Sequence, residues 1–171
     1  NWNGPVPSLT VKLIDSAASV ALGTSVNLST AYASNTYSSN SVTLAHAVTA
    51  VNDAPVVSSG ASTTLTAIDE DTASPTGYLV SSVVGSYFDD ATDMVSGGSS
   101  ANSLAGIVIT SYTQDTSKGN WQYSSNGTSW TSMSSVTSSS SGFTLKSTDY
   151  LRFLPTSNWN GSAPTLAIAL I

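Results

Sequence analysis

Seven of the ten acidic residues of this chain lie between Asp53 and Asp93, and no Lys or Arg occurs between Lys12 and Lys118. The blocks Asp69-Glu70-Asp71 and Asp89-Asp90-x-x-Asp93 therefore have no local cation to pair with, and carboxylates so spaced repel one another if folding brings them together. They either fan out into water as solvated acidic loops or share an imported cation. Clustered carboxylates with neighbouring Asn and backbone carbonyls, in a chain with no Cys and one His, suit a hard, oxygen-seeking ion. Calcium fits such a donor set better than zinc.

Other chemistry is poorly provided for. No G-x-S-x-G elbow is present, and the single histidine, His46, alternates with aliphatic residues in a strand pattern, which reads as a partly buried structural role. No catalytic residues are expected, and the chain reads as a non-enzyme. Trp121, Tyr123 and Trp130 offer the material for a sugar-stacking platform, so a glycan-binding β-sandwich module is the alternative function; aromatics across a hairpin more often pack on one another. Asp149 and Arg152 read as a surface ion pair of little energetic weight.

The elements that must position these residues are nearly all β. Leu9, Val11 and Leu13 alternate with Thr10 and Lys12; Val42, Leu44, His46 and Val48 alternate with Thr43, Ala45 and Ala47; Leu151 and Phe153 alternate with Tyr150 and Arg152. Asn126-Gly127, between Trp121-Gln122-Tyr123 and Trp130, predicts a hairpin over residues 119–132 closed by a type I′ turn. Many short strands with glycine punctuation predict an antiparallel β-sandwich of the immunoglobulin or cadherin kind.

Composition agrees with a module that works by shape. Charged residues make up 8% of the chain and its net charge is −6. Four scattered cations cannot neutralise a row of phosphates, so nucleic acid is not an expected partner. The longest apolar runs are of strand length, so membrane insertion is not expected either.

Asn1-Trp2-Asn3-Gly4 recurs as Asn158-Trp159-Asn160-Gly161, and the following SLTVKLI is answered by TLAIALI. Eight of fourteen residues are shared, which sets a period of 157 residues (158 − 1). That is too long for a solenoid repeat and about right for one β domain, so the chain reads as one period of a tandem array.

Asn52-Asp53-Ala54-Pro55 separates two apolar stretches, and Pro55 biases Ala54 toward extended backbone, as in a short stiff linker. The blocks AVNDAPVV, LTAIDEDT, SYFDDATD, GNWQYSSNGTSW and DYLRFLPTSNWNG together resemble the cadherin-like extender repeats of giant secreted bacterial adhesins of the RTX type, which tether biofilms. The resemblance covers nearly the whole chain. It implies a calcium-rigidified extender on the bacterial cell surface, with neighbouring repeats of the same adhesin as its partners, projecting a distal ligand-binding region for adhesion and biofilm formation. It also implies Asn52 and Asp53 as linker ligands, with Asp69, Glu70 and Asp71 as their partners and Asp89, Asp90 and Asp93 completing that site or forming another. The linker departs from a true cadherin linker in carrying one acid where several are usual.

If Asn52–Pro55 joins two repeats, residues 1–50 are the closing strands of one domain, 51–55 the linker, and 56–171 the opening part of the next. Neither domain is then complete, and strand-swapped self-association follows from the unpaired edges. The competing expectation is that residues 1–171 close as one compact β-sandwich.

Overall fold

The computed structural model describes residues 2–27, 29, 35–57, 62–138 and 140–171, so Asn1 of the first repeat copy lies outside the described residues. The fold is all-β, with several antiparallel sheets and little helix. The chain divides into two units: Asn1–Asn52 with Asp93–Ser100, and Asp53–Thr92 with Ala101–Ile171.

In the first unit, β1 (Gly4–Pro5) pairs with β4 (Ala47–Val48), and β2 (Leu9–Val11) pairs with β3 (Val42–Leu44). An isolated bridge between Ile14 and Tyr37 extends this antiparallel ribbon. Leu9 stands opposite Leu44 and Val11 opposite Val42, so the period-2 alternation puts these side chains on one face. A lone pair of strands offers nothing to cover that face. Leu9 and Leu13 remain 60% and 59% exposed, and Leu44 53%.

The repeat motif is anchored in this unit by the Ser96–Ser99 turn. Asn3 Nδ2 donates to Ser99 Oγ at 2.8 Å, and Asn3 Oδ1 accepts the Ser99 N–H at 2.6 Å. Gly4 sits at φ +118°, where a Cβ would fall 2.7 Å from the Gly97 carbonyl oxygen. Asp93–Ser100 groups with the first unit rather than with the residues that flank it in sequence.

The second unit contains β5 (Val56–Val57), β6 (Tyr78–Leu79), α1 (Val80–Val84), β7 (Phe88–Asp89), β8 (Gly106–Ser111), β9 (Gly119–Ser124), β10 (Thr131–Ser132), β11 (Phe143–Lys146), β12 (Tyr150–Pro155) and β13 (Ala167–Leu170). One sheet runs β10-β9-β12-β6, a second β11-β8-β13, and β5 pairs with β7. Ile107, Ile109 and Leu145 of the second sheet share a core with Trp121, Leu151 and Phe153 of the first. The five-residue α1 adds Val80 and Val84, one turn apart and both buried; so short a helix leaves no period to detect in the sequence.

The hairpin predicted over 119–132 is present, with Tyr123 opposite Thr131 and Gln122 opposite Ser132. Its connection is longer than a two-residue turn. Gly127 takes positive φ, but Asn126 does not. Asn126 instead closes the loop with its side chain, its Oδ1 accepting the N–H groups of Thr128 and Ser129 at 2.9 and 2.8 Å.

Arg152 is the main correction to the charge reading. It is buried and turns away from Asp149, whose carboxylate accepts the Lys146 N–H. Its Nε donates to Gln122 Oε1 at 2.8 Å, its Nη1 to the Pro75 carbonyl at 3.0 Å, and its guanidinium stacks 4.1 Å from the Trp130 ring centre. Burial pushes its pKa down from the usual arginine value. Lysine cannot reproduce the planar fork or the stack, so Arg152→Lys is expected to cost about 1–3 kcal/mol in urea unfolding. An unchanged midpoint would show the site to be an ordinary surface contact.

Candidate metal centre

Each acid proposed from sequence has a definite place. Asp89 ends β7, opposite Val56 of β5. This antiparallel register runs the preceding Asp53–Pro55 segment back alongside the residues that follow Asp89. Asp89 Oδ1 accepts the Ala91 N–H at 2.8 Å, turning the chain. Asp90 is only 5% exposed, and its Oδ2 accepts the Asn102 N–H at 2.6 Å. No Lys, Arg or His pairs with it among the described residues. A carboxylate held this far from water, met by a backbone amide and no cation, carries a desolvation cost that an oxygen-bound cation would offset.

Asn52 and Asp93 belong to the first unit. Asp93 is buried at the end of a short 3₁₀ turn, Ala91–Asp93, and its backbone carbonyl accepts the Ser99 hydroxyl.

The Asp69-Glu70-Asp71 block takes up a different task. Asp71, in left-handed backbone at φ 64°, accepts the Asn158 N–H on Oδ1 at 2.8 Å. Asn160 Nδ2 lies 3.5 Å from Glu70 Oε2, and the Asp69 carbonyl accepts the Thr72 hydroxyl. Glu70 and Asp71 hold the second copy of the repeat motif, a role that the sequence reading missed. Only the Asn160 amide is a donor that the sequence itself names; the Asn158 contact uses a backbone N–H that any residue supplies, so nothing in the sequence marked it.

Among the described residues, no three His, Cys, Asp or Glu side chains are gathered as a metal-binding group. The donors near β7 nevertheless suit a hard cation in kind, being carboxylate and carbonyl oxygens with no nitrogen or sulfur. Asp115 is a contrast. The Ser117 hydroxyl, with Lys118 at 3.4 Å, holds this exposed carboxyl below its usual pKa, so its charge is answered locally.

The aromatic residues considered for sugar stacking are engaged elsewhere. Trp121 is buried, its Nε1 donates to the Pro164 carbonyl at 2.7 Å, and its ring meets Phe153 edge to face at 5.5 Å. Tyr123 packs on Phe143, and Trp130 covers Arg152. His46, read as partly buried, is exposed.

No family model matches this chain, and no curated protein or solved structure is significantly similar to it.

Proposed function

We propose that this chain is a calcium-stiffened spacer module of a bacterial surface adhesin, a β-sandwich repeated in tandem to carry a distal ligand-binding region away from the cell. The observation that carries the reading is Asp90, a nearly buried carboxylate with no cationic partner among the described residues, directly after Asp89 and so just past the strand pair that follows the Asp53 linker. Asp53, Asp89 and Asp90 are the residues proposed to supply oxygen ligands. The 157-residue repeat period supports a tandem array, and the sharing of one core by two antiparallel sheets supports a sandwich. The mechanism is mechanical. Without the ion, the acids around the linker repel and the linker is free to bend; with it, linker and strand pair are tied.

Extracellular calcium modules bind with dissociation constants of about 10⁻⁴ to 10⁻³ M, so millimolar calcium is expected to add about 0.5–1.5 kcal/mol per site. Thermal melts in EDTA and in millimolar calcium measure this directly. Calcium should raise the midpoint, and Asp90→Asn should abolish the response while leaving the EDTA curve unchanged or slightly higher. Superimposable wild-type curves would remove calcium from the proposal. The glycan-binding alternative has lost its central ring to the core, and a blank glycan array is the expected result.

A further inference from the structure

We infer that the outer edge of β13 is a docking edge, and that it accepts β3 of a second copy of this chain. The argument starts from the duplication. β13 and the residues around it are the second copy of β2: Leu166, Ile168 and Leu170 correspond to Leu9, Val11 and Leu13. One strand sequence is therefore seen in two environments.

In the first unit the strand is paired along one edge, with β3. The Ser38 N–H donates to the Leu13 carbonyl and the Asp15 N–H to the Thr36 carbonyl, both at 2.9 Å. Backbone groups of a strand point alternately to its two sides. Those of Leu9, Val11 and Leu13 accordingly turn toward β3. In the second unit the other edge is used. Ile171 exchanges both hydrogen bonds with Gly106, at 2.9 and 3.2 Å, so Ala169 also turns toward β8. The backbone groups of Ile168 and Leu170 are left on the outer edge, where β13 ends its sheet among the described residues. The positions that hold β3 in one copy are those left open in the other.

The side chains agree with the backbone. Leu166 and Leu170 pack against the core, and a cleft of about 640 Å³ opens on that core between Leu65, Val83, Leu166 and Ile168. Carrying over the observed register, in which Leu9 faces Leu44 and Val11 faces Val42, sets Leu44 beside Leu166 and Val42 beside Ile168 on the cleft side. Among the described residues, the second unit thus has a core with no strand on the outer side of β13, and the first unit has apolar strands that stay exposed. Exchanging β2 for β13 as the partner of β3 conserves the ladder, because the backbone groups involved sit at corresponding positions of the two copies. It also brings Val42 and Leu44 out of water, which drives the exchange. The contact is heterologous, so it propagates head to tail unless two copies exchange reciprocally.

The chain has no cysteine, which allows a clean cross-linking test. Thr10 faces Thr43 in the ribbon, and Ala167 is the counterpart of Thr10, with all three exposed. The proposal therefore places Thr43 of one copy opposite Ala167 of another, in a non-hydrogen-bonded pair whose close spacing suits a disulfide. Thr43→Cys and Ala167→Cys proteins, mixed and mildly oxidised, are expected to give at least tenfold more mixed disulfide than either homodisulfide. Light scattering of the unmodified chain should show mass rising over a hundredfold concentration range, and a Thr10→Cys/Thr43→Cys disulfide, which ties β3 to its own β2, should stop the rise. A mixed disulfide no more abundant than the homodisulfides would overturn the proposal. So would a monomeric cross-link in the Thr43→Cys/Ala167→Cys double variant, or a mass that stays monomeric. Running the series in EDTA keeps the outcome separate from that of the calcium reading.

Discussion

Gly119→Ala is expected to destabilise the second unit by about 4 kcal/mol or more, enough to leave it largely unfolded in a domain of ordinary stability. Two independent costs combine there. Gly119 lies at φ +142°, a region that L side chains rarely adopt. A Cβ would also fall 2.3 Å from the Leu154 carbonyl oxygen and 2.7 Å from the Phe153 ring. Neither neighbour can yield. Leu154 belongs to β12, which pairs with β9 from Gly119 to Ser124, and Phe153 packs between Trp121 and Trp159. Backbone relief would open the longest ladder in the unit, and ring relief would disturb its core. Circular dichroism melts decide the matter: a midpoint within a few degrees of the parent would show that β9 can shift its register at that end. Gly127→Ala is the control, since its Cβ would meet only the Tyr150 ring, at 3.5 Å, and positive φ is its sole strain. Its expected cost is about 1 kcal/mol.

The contrast bears on what a sequence can disclose. Alternation of large apolar with polar residues makes β9 and β12 legible, because a strand sends successive side chains to opposite faces and so reads with period two, even though Gln122 and Arg152 on the second face are also buried. The same rule explains where reading fell short. Asn126-Gly127 specifies a turn, but the loop length depends on the Ser124 and Asn126 side-chain hydrogen bonds, which no dipeptide encodes. Arg152 looked like half of a surface pair with Asp149. Its true partners, Pro75 and Gln122, lie 77 and 30 residues away, and only the fold brings them to it. Of the candidate site, the absence of cations was fully visible in sequence. What could not be read was which acids would be turned inward. Asp90 is buried by the turn after β7, while Asp71 is committed to a motif 87 residues away.

Trp159→Ala is expected to cost about 2–3 kcal/mol and Trp2→Ala less than about 0.5 kcal/mol, although the two residues occupy the same position of the same repeated motif. Trp159 meets Phe153 edge to face at 5.8 Å and joins the core of its unit, with its flanking residues held by Asp71 and Glu70. Trp2 is 49% exposed. Gly4 and Gly161 are both at positive φ, and the two tryptophans differ in what surrounds them. Urea unfolding of the two single variants and the double variant separates these readings. Unequal costs that add in the double variant mean that the motif is a plug whose value depends on the core it meets. Equal costs would mean that the motif is stable in itself, and the inference that the first strands of this chain are built to serve a core they do not meet in the first unit would lose its footing.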